Sequence, residues 1–316
     1  MLGKRFYVGA GSETEGDVRL HDMQYGSSMN LDQCPGGMMS FIPVPGNEHS
    51  LVSIMGLFPP FIGLEAGLFL HQRAGDGWKS RRMAALPFAH RCEFLPGASD
   101  PVLIAATVSK HKDNPADWSR AGEVWAFTPD SQLEYWDAQL LDSSITRNHG
   151  MCRARFKGKE QLFISGKEGI FSIGQTTDGQ WDIQRVFGNE VSEMCFIDLN
   201  GDGKEELVCI APFHGENLNI YRQQGEDWEL VYADELAFGH GLSGGYFKGK
   251  GMVVCGNRSA DLSLQSYYLD DAVQFKVNKD IIEEGVGPTQ TQVFCFRGKD
   301  YILSANQRKH EVALYS

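Results

Sequence analysis

Three histidines stand immediately before short apolar runs: His90 (AHRC), His149 (NHGMC) and His240 (GHGLS). A fourth segment of the same kind, SEMC, offers Glu193 in the related slot, while His214 (APFHGEN) and His310 follow apolar runs instead. Imidazole and carboxylate ligands together suit Zn, Mn, Fe or Ni. Imidazole is also the side chain best matched to proton transfer near neutral pH. Residues so far apart in sequence do such chemistry only if a scaffold gathers them, and the rest of the chain shows what that scaffold is.

An apolar run, a short turn with Gly and a second apolar, β-branched run recur six times, over 38–56, 92–108, 151–167, 194–211, 242–258 and 292–308. The turn glycines are Gly46, Gly97, Gly158, Gly203, Gly249 and Gly298, at steps of 51, 61, 45, 46 and 49 residues. Between copies lies a second hairpin signal, such as Asp178-Gly-Gln-Trp181 or Gly225-Glu-Asp-Trp228. Four short strands in about 50 residues is the unit of a propeller blade. The chain therefore reads as a single all-β domain over 1–316, a β-propeller of six four-stranded blades, or of seven if residues 1–37 hold further structure. The last blade lacks a fourth strand at the C-terminus, and the β-prone segment KRFYVGAG (4–11) is expected to supply it and close the ring.

Up-and-down connectivity places the loops entering the first strand and leaving the second on one face. On this assignment His21, His90, His111, His149, His214, His240 and His310 share that face, with Lys110, Arg258 and Arg308. Phe213, Trp118 and Phe61 lie in the same loops, where they could stack on a sugar ring.

The 316 residues carry 29 Lys+Arg and 41 Asp+Glu, a formal net charge of −12. That balance argues against nucleic-acid binding, which needs clustered cations. No apolar run is long and unbroken enough for a membrane helix, and the first ten residues do not read as a signal peptide. Seven cysteines without a CxxC pair, most of them in apolar runs (Cys195, Cys209, Cys255, Cys295), point to free thiols and the cytoplasm. There is no G-x-S-x-G elbow to support a serine hydrolase.

The segment Asp198-Leu-Asn200-Gly-Asp202-Gly-Lys-Glu-Glu206 has the alternating oxygen donors that a hard cation takes. It is shorter than an EF-hand loop and flanked by strands, so it resembles the calcium loop of FG-GAP or VCBS-type propeller repeats. Asp198, Asn200, Asp202 and Glu206 are the expected ligands of one structural Ca2+, in a hairpin on the face opposite the histidines.

HG before a first strand, DLNGDGKEELV in the following hairpin and PFHG after the second strand together resemble the propeller of the aldos-2-ulose dehydratase family. The likeness is at the level of motifs, most marked over 148–261, and that family's enzymes carry additional domains. It implies β-elimination on a small oxidised (keto) sugar by a carbon–oxygen lyase, or a related isomerisation, with a divalent transition metal polarising the carbonyl. On that implication His149, Glu193 and His240 are the metal ligands and His90 or His214 the base. Lys110, Arg258, Arg308, Phe213 and Trp118 would then hold the substrate. The alternative is a non-catalytic glycan- or protein-binding propeller, since the fold hosts both.

Overall fold

A computed structural model describes residues 6–12, 18–31, 35–58, 63–97 and 100–316. They form seven antiparallel sheets, each built from strands consecutive in sequence. The first sheet holds β1 (Tyr7–Ala10), β2 (Arg19–Asp22) and β3 (Ser28–Asn30). The second holds β4 (Ser40–Pro43), β5 (Ser50–Met55), β6 (Gly67–Ala74) and β7 (Gly77–Ala85). The third holds β8 (Ala89–Phe94), β9 (Leu103–Thr107), β10 (Val124–Pro129) and β11 (Trp136–Asp142). The fourth follows with β12 (Gly150–Phe156), β13 (Lys159–Gly166), β14 (Gly169–Gln175) and β15 (Trp181–Phe187). The fifth comprises β16 (Glu193–Ile197), β17 (Glu206–Ala211), β18 (Asn217–Gln224) and β19 (Asp227–Glu235). The sixth comprises β20 (Gly239–Phe247), β21 (Lys250–Asn257), β22 (Leu264–Asp271) and β23 (Lys276–Glu283). The last is three-stranded, β24 (Pro288–Phe296), β25 (Lys299–Asn306) and β26 (Glu311–Tyr315).

The chain is thus an all-β propeller of seven blades rather than six. The extra blade lies in the segment ahead of the first repeat. Its strands have three or four residues, too few to show a period. The N-terminal strand does not join β26; β1 pairs with β2 and opens a sheet of its own. Closure of the ring by that strand is therefore not seen.

Strand chemistry follows position. Second strands are buried on both sides, as in β5, β9 and β17, and are mostly apolar. Fourth strands such as β11 and β19 are largely exposed and mix charge with apolar residues. Three hairpins turn on two residues, Lys157-Gly158, Lys248-Gly249 and Arg297-Gly298, with both φ values positive in each. That is the type I′ geometry whose twist matches paired strands, and glycine fills its second position at no steric cost. The registers Phe156↔Lys159, Phe247↔Lys250 and Phe296↔Lys299 close these turns.

Two compact units divide the chain, residues 1–149 with 174–182, and residues 150–173 with 183–316. In the first, Val52, Ile54, Leu68, Leu70, Leu103 and Ala105 form the centre of one core. In the second, Phe156, Phe163, Phe196 and Trp228 make an aromatic cluster with ring centroids 4.5–6.3 Å apart. Six cysteines among the described residues are free thiols; Cys92, Cys195, Cys209 and Cys255 are buried, while Cys295 is exposed. Among the described residues no helix is long and apolar enough to cross a membrane.

Candidate metal centre

The sequence contains three His-Gly dipeptides, at 149–150, 214–215 and 240–241. Their histidines are the ones whose ring nitrogens converge: one nitrogen each from His149, His214 and His240 lies within 4.8 Å of the other two. His214 and His240 belong to the second unit. His149 is the residue at which the division falls, and its peptide bond to Gly150, the first residue of β12, ties its place to that unit's own backbone. A Cβ at Gly150 would stand 2.4 Å from Ser165 Oγ and 2.6 Å from the Ser192 carbonyl oxygen, so only glycine lets the strand run this close behind the imidazole.

His214 lies on the loop from β17 to β18 with φ 52°, a left-handed conformation that costs a side-chain-bearing residue of order 1 kcal/mol or more. Its N–H donates to Ser192 Oγ at 3.1 Å. The Phe213 ring stacks on its imidazole at 3.9 Å, and Phe238 meets it edge-on at 5.0 Å. The His240 ring is 5.7 Å away. His240 Nδ1 lies 2.8 Å from the Thr289 carbonyl oxygen. A carbonyl only accepts, so Nδ1 carries the proton and Nε2 keeps the lone pair. His149 and His240 are buried while His214 is half-buried, which leaves that ring on the solvent side. Three imidazoles, one with its tautomer set in this way, are a donor set that fits a divalent transition ion.

In the first unit, His90 on β8 repeats the pattern: its Nδ1 is 3.2 Å from the His149 carbonyl oxygen and the two rings are 4.2 Å apart. Glu193, expected as a ligand, is buried at the start of β16 but is not one of the three converging groups. His214, expected as a base, stands among them instead. Lys110 is exposed beyond β9. Trp118 is engaged within its own loop by Lys112, whose ammonium sits 3.4 Å from the ring centroid and donates to the Pro115 carbonyl at 2.6 Å. Arg258 stands 5.7 Å over the Phe238 ring, and Arg308 is exposed beyond β25. Phe61 lies outside the described residues. His21 falls inside β2 rather than in a loop. Phe238 escaped the sequence reading; its signal was proximity to His240 in the run FGHG.

The acidic hairpin is satisfied from within. Asp198 accepts the N–H groups of Gly201 (2.7 Å), Asp202 (3.2 Å) and Gly203 (2.9 Å), and Glu206 accepts that of Leu199 (2.9 Å). Asn200 and Asp202 accept the N–H groups of Asp202 and Lys204, both at 2.9 Å. The Arg222 guanidinium lies 3.6 Å from both Asp202 and Glu206. Arg222 thus brings a positive charge to the hairpin, and among the described residues no three acids of this hairpin converge on a point. A cavity of about 440 Å³ opens here, lined by Phe156, Asp202, Glu206 and Arg222 among others, and none of the three histidines lines it.

No protein-family profile matches the chain, and no curated protein matches it either. Solved structures do match in fold. One is a Bacteroides uniformis protein described provisionally as a 6-phosphogluconolactonase, with TM-score 0.64, 11% identity, and 99% of this chain and 92% of that one covered. A Bacteroides fragilis protein with the same provisional description gives TM-score 0.60 at 11% identity, over 99% and 91%. The Dos1 propeller gives 0.56 at 10% identity, over 99% and 75%. At these identities the likeness establishes the propeller fold. The comparisons do not confirm the FG-GAP/VCBS and aldos-2-ulose dehydratase resemblances.

Proposed function

We propose that this propeller is a metal-dependent enzyme acting on a small oxidised sugar, with His149, His214 and His240 holding a divalent transition ion. The observation that carries the reading is the convergence of one nitrogen from each ring within 4.8 Å. The ion, when bound, supplies Lewis acidity to a substrate carbonyl. The protein's own groups do the rest. The Thr289 carbonyl keeps the His240 proton on Nδ1. The His149 carbonyl does the same for His90, leaving its Nε2 as a proton acceptor beside the centre. In the β-elimination this favours, His90 takes the proton from the carbon next to the carbonyl. The C–H pair becomes the new C=C bond, the C–O bond breaks, and the proton held by His90 passes to the departing oxygen, which leaves as water. Buried free thiols at Cys195, Cys209 and Cys255 support a reducing cytoplasm as the place of action.

A second reading, hydrolysis of a sugar lactone, is favoured by the description attached to the two Bacteroides structures. Product analysis separates the two, because elimination yields an unsaturated sugar and hydrolysis an open-chain acid. A protein that binds sugar or a protein partner and turns nothing over returns the chain to the binding-platform alternative. The deciding experiment for the centre is titration of chelator-treated protein with Co2+ or Zn2+. Wild type is expected to take up one equivalent. His214→Ala and His240→Ala are each expected to weaken binding by about tenfold or more. Wild-type affinity in both variants overturns the assignment.

A further inference from the structure

Phe238 is a costly residue where it stands. Its φ is 58°, in the left-handed region that side chains avoid, and 37% of its surface is exposed. Neither property stabilises a fold, and such combinations gather at functional sites. The surrounding backbone nevertheless holds it firmly. The Phe238 carbonyl accepts the Arg258 N–H at 3.0 Å, and the Ala237 carbonyl accepts the Ser259 N–H at 3.1 Å. The buried Asn257 side chain accepts the Ala237 N–H at 3.0 Å. Three hydrogen bonds thus pin the loop before β20 to the last residue of β21 and the loop after it, all within the second unit.

What these bonds build is a continuous strip. Phe213 lies flat on His214, His214 meets the edge of Phe238, and the Arg258 guanidinium stands over the Phe238 face 5.7 Å from its centroid. Arg258 also donates to Gln307 Oε1, which orients the guanidinium. Two contacts, of 5.0 Å and 5.7 Å, bound the span from the His214 ring to the guanidinium. An apolar ring face ending in an oriented guanidinium is the chemistry that recognises a sugar carrying an anion, because the guanidinium fork matches carboxylate and phosphate oxygens.

We propose that the Phe238–Arg258 strip beside His214 is the recognition subsite for an anionic sugar, with the ring of Phe238 under the carbon skeleton and Arg258 on its carboxylate or phosphate. The inference rests on the histidine centre as the reacting end, and it names the substrate class.

The test is calorimetric binding of D-gluconate, D-glucose 6-phosphate and D-glucose to the Zn2+-loaded protein, with Co2+ titration run in parallel on each variant. Wild type is expected to bind at least one anionic probe at least tenfold more tightly than glucose. Gluconate and glucose 6-phosphate distinguish a carboxylate from a phosphate as the recognised group. Arg258→Gln is expected to abolish the preference, Arg258→Lys to keep part of it, and Phe238→Ala to weaken binding of the preferred probe, with Co2+ affinity unchanged in all three. If glucose binds as tightly as the anions, if neither anion binds at millimolar concentration, or if Arg258→Gln keeps the preference, the subsite is wrong. Loss of Co2+ binding in wild type with the anion preference intact would instead sink the metal centre and leave the subsite standing.

Discussion

His71 is fully buried between two hydroxyls, with Ser53 Oγ and Ser80 Oγ each 2.7 Å from a ring nitrogen. Burial pushes its pKa down from 6.5 to about 4. The unfolded chain therefore binds the extra proton first as pH falls, and folded stability is lost between pH 6.5 and about 4, on the order of 3 kcal/mol when complete. Thermal melts across that range should show the loss, and His71→Gln should flatten it; equal slopes in the two proteins would contradict the assignment. The three converging histidines, His149, His214 and His240, share a local sequence feature. Each stands before a glycine, and the fold uses glycine where strand backbones crowd behind the ring, as Gly150 does against Ser165 and Ser192. Glu193 occupies a slot related to those of His149 and His240 but is not one of the converging groups, since related positions in a repeat need not point their side chains the same way. Thr289 contributes through its carbonyl, which every residue has, so no side-chain pattern could mark it.

At the level of the hairpin, the acidic segment 198–206 behaves as a hydrogen-bonded turn locked by Arg222. Glu206 is nearly inaccessible, its side chain 3% exposed, and burial is the main reason its pKa rises to about 7. An acid raised in this way keeps its proton in the fold while the unfolded chain releases it near 4.5. Stability is then greatest below pH 4.5 and declines as pH rises to about 7. Glu206→Gln should consequently gain melting temperature relative to wild type from pH 5 to pH 8, and a constant difference would refute the account. Sequence alone showed the oxygen donors but not that backbone N–H groups and a guanidinium from the third strand of the same sheet would occupy them. The aromatic cluster gives the complementary case: Phe163 has no exposed surface, and Phe163→Ala should cost about 3–5 kcal/mol in denaturant unfolding. A loss under 1 kcal/mol would mean that the site collapses around the smaller residue.

For the whole molecule, the net charge of −12 and a pI near 5.2 set colloidal behaviour. Light scattering against pH should show association rising as pH 5.2 is approached from above and suppressed at pH 8; a flat profile would indicate that charge does not govern solubility here. The fold class was legible because the glycine turns repeat at a near-constant step, which only a repeated supersecondary unit produces. The blade count was not. The first sheet is made of strands three or four residues long, with no glycine turn at the repeat's step. Among the described residues all seven sheets use only neighbours along the chain, with no strand inserted from a distant segment. Each sheet is therefore complete as soon as its own stretch has left the ribosome, and pairing need not wait for the C-terminus. Synthesis itself would then impose an assembly order on the molecule, from the amino end onward.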